Sequence, residues 1–92
     1  GVGRPGDGLA INYQILTDLR MFGVQVYGGQ RVAVVELAVK LMNDKNGEVR
    51  STRVFRSSVP VSGATNSAYV KALDAAFDRT VSEVVGWTIS SL

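Results

Sequence analysis

The sequence predicts an α+β fold in which a three-stranded antiparallel β-meander is followed by a long C-terminal α-helix packed on one sheet face. Three observations predict this fold. Apolar and polar residues alternate through the first two thirds of the chain, turn signals divide that region into three runs, and a helical apolar spacing follows. With 92 residues the chain is long enough for one domain. We expect a flexible lead-in at residues 1–8 and a single α+β domain at residues 9–92.

The first strand is predicted to start at residue 9, after a lead-in that holds four Gly and one Pro. Alternation places one apolar set on a common face of this strand, namely Ile11, Tyr13, Ile15, Leu19 and Met21. Gly28 and Gly29 break the run, and Gly23 predicts a β-bulge shortly before the break.

The second strand, predicted at residues 31–43, is the most apolar of the three and is expected at the centre of the sheet. One of its faces is fully apolar: Ala33, Val35, Leu37, Val39 and Leu41. A hairpin turn follows, with Asn46 and Gly47 supplying the positive φ angles that such turns need. The third strand is predicted at residues 48–59, where Pro60, which cannot donate to a ladder, ends it or marks an edge.

The helix is predicted over residues 66–91, with Thr65, Asn66 or Ser67 as its capping residue. Projection at about 100° per residue gathers one apolar stripe, made of Tyr69, Leu73, Ala76, Phe77, Thr80, Val81, Val84 and Trp87. We expect this stripe, including Phe77, to close the core against the sheet.

Composition excludes several classes of function. The chain has no Cys and no His, so it lacks a thiol nucleophile, the commonest general base and the commonest metal ligand. The net charge of +2 is close to balance and argues against a nucleic-acid partner. We therefore expect no enzymatic activity, no cofactor and no metal ion.

Two patterns that could indicate a site have simpler explanations. Gly1, Gly3 and Gly6 match the dinucleotide-binding string, but that motif follows a strand and precedes a helix, so a flexible linker explains it better. Four carboxylates could supply a metal or catalytic pair, yet solvated strand faces and turn chemistry account for all of them: Asp18, Glu36, Asp44 and Glu48.

The candidate functional residues are ones that could contact a partner. Val85, Ile89 and Leu92 fall on the outer face of the last helical turns, opposite the apolar stripe, although frayed helix ends also carry stray apolar residues. Arg50 and Arg56 share a face of the third strand and could meet an anionic partner, whereas protection of an edge strand by charge is the explanation we prefer.

A sheet of three strands with one helix leaves a sheet face and two edges uncovered. The missing N-terminal segment, a second copy of the chain or a partner protein could pack there. A homodimer through the open sheet edge is therefore one expectation.

Three stretches of the sequence resemble the ABC-type transport auxiliary lipoproteins. Residues 12–22 resemble the family's strand pattern Asp-Tyr-x-Leu followed by a hydrophobic residue, two variable residues and Phe, with Asn12 where an acidic residue is more usual. Residues 53–61 and the closing helix at residues 69–87 resemble further parts of the same family. Together these stretches cover nearly all of the chain in the family's order.

This resemblance implies a periplasmic protein that, in its full-length form, an acylated N-terminal Cys anchors to the outer membrane. It implies an auxiliary role beside an ABC transporter for lipids, with an MCE-domain protein or the permease as partner, and no catalytic residues. The family's N-terminal β-α portion is not in the sequence, which starts at Gly1 without an initiator Met. We therefore expect the C-terminal part of a larger lipoprotein domain.

The expected function is that of a non-enzymatic scaffold or coupling module in an ABC-type transport system for lipids or other apolar substrates. The alternative is a carrier that binds lipid or another small apolar ligand between helix and sheet. A scaffold should have a filled core and an exposed apolar patch, whereas a carrier should have an apolar cavity.

Overall fold

The structure, a computed structural model, describes residues 13–91 of the chain. Three strands and one helix follow one another: β1 at Tyr13–Tyr27, β2 at Gln30–Asn43, β3 at Val49–Pro60 and α1 at Asn66–Ser91. The strands form one antiparallel sheet in the order β1-β2-β3, and α1 packs against it. The predicted α+β meander with a C-terminal helix is confirmed, while the predicted lead-in at residues 1–8 lies outside the described residues.

Both hairpin turns use glycine where the backbone becomes left-handed. Gly28 and Gly29 join β1 to β2 with φ angles of 55° and 85°, the combination that a two-residue hairpin turn requires. In the second turn positive φ falls on Gly47 alone, at 70°, and not on Asn46 as the sequence predicted. The side-chain oxygen of Asn46 instead accepts a hydrogen bond of 3.0 Å from the backbone N–H of Glu48.

The bulge in β1 lies at Arg20. Leu19 stands opposite Leu37 of β2 and Met21 stands opposite Glu36, so Arg20 has no residue opposite it. The extra residue reverses the alternation of faces for the rest of the strand.

The predicted bulge at Gly23 is therefore wrong, because Gly23 keeps its register opposite Val34. The reversal also puts Phe22, and not Met21, on the same face as Leu19, which corrects the predicted apolar face of this strand. The methyl carbon of Met21 lies 3.4 Å from where a Cβ at position 23 would stand, which is an ordinary van der Waals contact.

The helix approaches the sheet along its smallest side chains. Ala72, Ala76 and Thr80 are its buried residues, and the Thr80 hydroxyl donates a hydrogen bond of 2.9 Å to the carbonyl oxygen of Ala76. Phe77 and Val81 are exposed at the border of the interface. Their prediction as core residues is wrong, because a helix that rests on alanine lies too close to the sheet for bulky side chains to fit beneath it.

The helix covers only part of the sheet. It packs mainly on β2 and β3 and touches β1 at few points. Beneath it lie the buried β2 side chains Val35, Val39 and Leu41, and the Phe55 ring of β3 meets the Trp87 ring edge to face at 5.6 Å. We call β2, β3 and α1 the closed half of the molecule and β1 the open half.

The N-terminal end of α1 is capped as the sequence predicted. The backbone N–H of Ala68 donates a hydrogen bond of 3.1 Å to the Thr65 hydroxyl oxygen, which satisfies one of the helix's free N–H groups. Over residues 13–91, the structure contains no helix that is both long and apolar enough to cross a membrane.

Candidate interaction surface

A row of apolar side chains starts at the border of α1 next to β1 and turns onto the outer side of the helix. The row consists of Phe77, Val81, Val85 and Ile89, and we call it the apolar ridge. Residues four apart lie in one line on a helix, and each step turns about 40° around its axis. The exposed fraction is 39% at Phe77 and 37% at Val81, and it rises to 51% at Val85 and 68% at Ile89. The ridge starts at the edge of the core and turns away from it.

The open half presents a second apolar row next to the ridge. These side chains lie on the helix side of β1 with exposed fractions of 49–65%, and we call them the β1 row: Ile15, Leu19, Phe22 and Val26. The cause is geometric. A helix is about 10 Å wide and strands lie about 4.8 Å apart, so one helix covers two strands of a three-stranded sheet.

One aromatic pair joins the two rows. The Phe22 ring of β1 meets the Phe77 ring of α1 edge to face, with centroids 6.2 Å apart and planes inclined by 74°. This geometry is a favourable one for aromatic pairs. The apolar ridge and the β1 row therefore form one continuous surface, which is larger than the isolated apolar residues common on protein surfaces.

The opposite flank of α1, which faces β3, is polar. Glu83, Gly86 and Ser90 border a shallow depression there together with Arg53 of β3. The Arg53 guanidinium carbon lies 5.3 Å from the centre of the Phe55 ring, so this aromatic residue is screened by a cation. Among the described residues, the exposed apolar side chains of α1 thus lie on its β1 flank and its outer side, and not on its β3 flank.

Two of the predicted contact residues belong to this surface. Val85 and Ile89 were expected on the outer face of the last helical turns, and their exposed fractions of 51% and 68% agree with that position. The four-residue spacing leads from them, in steps of about 40°, to Phe77 at the edge of the core, so the apolar ridge joins this outer face to the border with β1. Leu92, the third apolar residue of that prediction, lies outside the described residues.

The two predicted arginines do not join this surface. Nη1 of Arg56 lies 3.0 Å from Oε1 of Glu36, directly across the β2–β3 ladder, so the charge of this arginine is paired. Arg50 lies at a second register shift, between Met42 and Leu41 of β2, with its guanidinium carbon 6.0 Å from the Tyr13 ring. Six residues of extended strand separate them by about 20 Å, too far for one anionic group to bridge.

The carboxylates also stay apart. Asp18 pairs with Arg20 at 3.5 Å on β1, whereas Glu36 pairs with Arg56. Across residues 13–91, no three residues of the kinds His, Cys, Asp and Glu come close enough to hold a metal ion. The notable chemistry of the surface is thus its apolar character.

The described residues form a meander closed by one helix, with apolar surface along one side. Comparisons with known proteins show the family to which the chain belongs. The family model of the ABC-type transport auxiliary lipoprotein component matches residues 1–85, so the chain belongs to that family. The predicted resemblance is confirmed. The family is that of an auxiliary lipoprotein component of ABC-type transport.

Two similar proteins support this assignment. The crystal structure of a Xanthomonas campestris protein, assigned to the family model DUF330, superposes with a TM-score of 0.83 at 29% sequence identity over 86% of this chain. An uncharacterized protein of Bradyrhizobium diazoefficiens is 37% identical over 78 residues, or 85% of this chain. The chain spans 46% of the first protein's length and 21% of the second's.

Proposed function

We propose that this chain is a non-enzymatic module that holds together components of an ABC-type transport system on the periplasmic side of the outer membrane. The observation that carries the proposal is the continuous apolar surface formed by the apolar ridge and the β1 row. In a protein of this transport family, such a surface is best explained as a place where another component packs.

The proposed substrates of the system are lipids or other apolar molecules, and the proposed partner is its MCE-domain protein or its permease. In the full-length protein an acylated Cys would supply the membrane anchor. These finer assignments rest on the resemblance to the family.

Binding to the purified permease and MCE-domain protein of the same transport system would test the proposal. Val85→Ser and Ile89→Ser each remove apolar contact area from the ridge without opening the core, because more than half of each residue is exposed. We expect each variant to weaken binding by about tenfold, which corresponds to about 1.4 kcal/mol, and to leave the melting temperature nearly unchanged.

Val54→Ser is the matched control. Val54 is half exposed and lies opposite Ala38, on the sheet face away from the helix. This variant should bind both components as tightly as the unmodified protein does. Equal binding by the ridge variants and the control would contradict the proposal.

The alternative function, an apolar carrier, has less support. The seam between α1 and the sheet is filled by Ala72, Ala76 and Thr80, which are at most 5% exposed. Mass spectrometry of lipid extracted from the purified protein separates the two functions. A carrier would retain lipid in fixed proportion to protein, whereas we expect none that survives washing.

A further inference from the structure

The turn between β2 and β3 joins Asn46 to Gly47, and residues 44–48 are all exposed. Asparagine is a thermolabile residue, because its side-chain amide is open to attack by the backbone nitrogen of the next residue. The attack is least hindered when the next residue is glycine, which has no side chain beside that nitrogen. A Cβ at Gly47 would meet nothing within 4 Å, so the described residues do not crowd this position.

The attack exchanges the amide for a carboxylate. The Gly47 nitrogen bonds to Cγ of Asn46, the bond from Cγ to Nδ2 breaks, and ammonia leaves with the proton that the Gly47 nitrogen gives up. The chain then carries a cyclic imide, the succinimide. Water opens this ring at Cγ to give aspartate, or at the backbone carbonyl carbon to give isoaspartate. The net change is the uptake of water and the loss of ammonia.

In the closed turn both reacting groups are held by other partners. The Gly47 N–H donates a hydrogen bond of 2.9 Å to the carbonyl oxygen of Asn43. The side-chain oxygen of Asn46, Oδ1, accepts one of 3.0 Å from the Glu48 N–H. Closure of the imide ring rotates the peptide plane between Asn46 and Gly47, which moves the Gly47 N–H away from Asn43. The reaction therefore requires the turn to open first.

Two more hydrogen bonds keep the turn closed. The Asn43 N–H donates to the carbonyl oxygen of Glu48 at 2.8 Å, and the Lys45 N–H donates to Oδ1 of Asn43 at 2.9 Å. Asn43 thus contributes its N–H, its carbonyl and its side chain to the turn. Local opening of an exposed turn costs less free energy than unfolding of the whole domain, so the turn opens while the sheet stays paired.

We propose that Asn46 is a site of spontaneous deamidation, and that opening of the β2–β3 turn sets the rate of this modification. The modification replaces a neutral amide by a carboxylate in a turn that already carries Asp44 and Glu48. In the isoaspartate product the backbone runs through the former side chain and is longer by a methylene group. The longer turn changes the spacing between Asn43 and Glu48.

Incubation of the protein in mildly alkaline buffer, followed by peptide mass spectrometry, tests the proposal. We expect Asn46 to deamidate at least about tenfold more slowly in the folded protein than in the chain unfolded by guanidinium chloride, which is the effect expected of two ordinary hydrogen bonds. In the unfolded chain Asn46 should react faster than Asn66, because Asn66 precedes Ser67, whose side chain hinders the attacking nitrogen.

The Asn43→Ala variant tests the role of the turn. It removes the hydrogen bond to the Lys45 N–H and should raise the rate about fivefold in the folded protein, with no change in the unfolded chain. Lys45→Ala is the matched control and should leave the rate unchanged, because Lys45 gives its backbone N–H to this bond. Equal rates in folded and unfolded protein would overturn the proposal, as would equal rates in the two variants or an unmodified Asn46 in the unfolded chain.

Discussion

The two edges of the sheet differ in how well they are protected. β3 ends in Pro60, carries three arginines and has its own register shift near Arg50, all features that discourage another strand from pairing. Its neighbouring helix flank is polar. β1 shares one of these features, the bulge at Arg20, but it contains no proline, has two charged residues in fifteen, and lies beside the apolar ridge.

This difference follows from where the helix lies. Ala72, Ala76 and Thr80 let α1 rest closely on β2 and β3, so the apolar side chains of β1 stay uncovered beside Phe77. The same alternation of apolar residues therefore produces a core in one half and a contact surface in the other. Whether a large apolar residue stabilises the fold or serves a partner depends on which side of the helix it occupies.

The largest expected effect is the difference in stability between alanine substitutions at two phenylalanines. Phe55 is 5% exposed beneath Trp87, so Phe55→Ala should lower the free energy of unfolding by about 3–5 kcal/mol. Phe77 lies at the border of the open half, and we expect Phe77→Ala to cost only about 1–2 kcal/mol, mostly from the lost contact with Phe22. Urea denaturation followed by circular dichroism measures both values.

Equal costs for the two phenylalanine variants would show that α1 is centred differently on the sheet. Phe77 would then be a core residue, as the helical projection alone predicted. The denaturant slope should be unchanged in each variant, which confirms that the comparison concerns stability and not the extent of unfolding.

A smaller difference in stability is expected between alanine substitutions at two leucines on adjacent strands. Leu41 of β2 is fully buried, and Leu41→Ala should destabilise the protein by about 2–4 kcal/mol. Leu19 of β1 is half exposed, so Leu19→Ala should cost about 1 kcal/mol or less. Thermal melting provides the measurement. A large loss of stability for Leu19→Ala would mean that Leu19 is covered and contributes to the core.

Much of this fold could be predicted from the sequence because its signals are local. The glycines of the first turn, the alternation in β2 and the helix bounds at Asn66 and Ser91 all depend on neighbouring residues. The position of the bulge in β1 could not be predicted from local signals. Gly23 carried the usual compositional signal, but the extra residue is Arg20, since the register is set by pairing with β2 and not by β1 alone.

The candidate surface was only half predictable for a related reason. A projection of α1 shows which residues share a side, but not which part of that side contacts the sheet. Val85 and Ile89 were recognised as outward-facing, while Phe77 was assigned to the core, because a projection weights apolar character and ignores how closely alanines let the helix approach. The exposure of Leu19 and Phe22 depends on the helix position, which no local pattern encodes.

The smallest expected effect tests the polar flank of α1. Gly86 lies on the β3 side, and a Cβ added there would meet nothing within 4 Å. Gly86→Ala should therefore stabilise the protein by about 0.5–1 kcal/mol, because alanine has the higher helix propensity. In a domain of this size that raises the melting temperature by about 3–8 °C.

Binding of the transport components to the Gly86→Ala variant tests whether the β3 flank of α1 also contacts a partner. If only the β1 side makes contacts, Gly86→Ala should bind the transport components as the unmodified protein does, whereas Val85→Ala, one residue away on the apolar ridge, should bind them more weakly. A loss of binding in Gly86→Ala would mean that a partner approaches α1 closely from the β3 side. The apolar ridge would then be only one part of a contact surface that surrounds the helix.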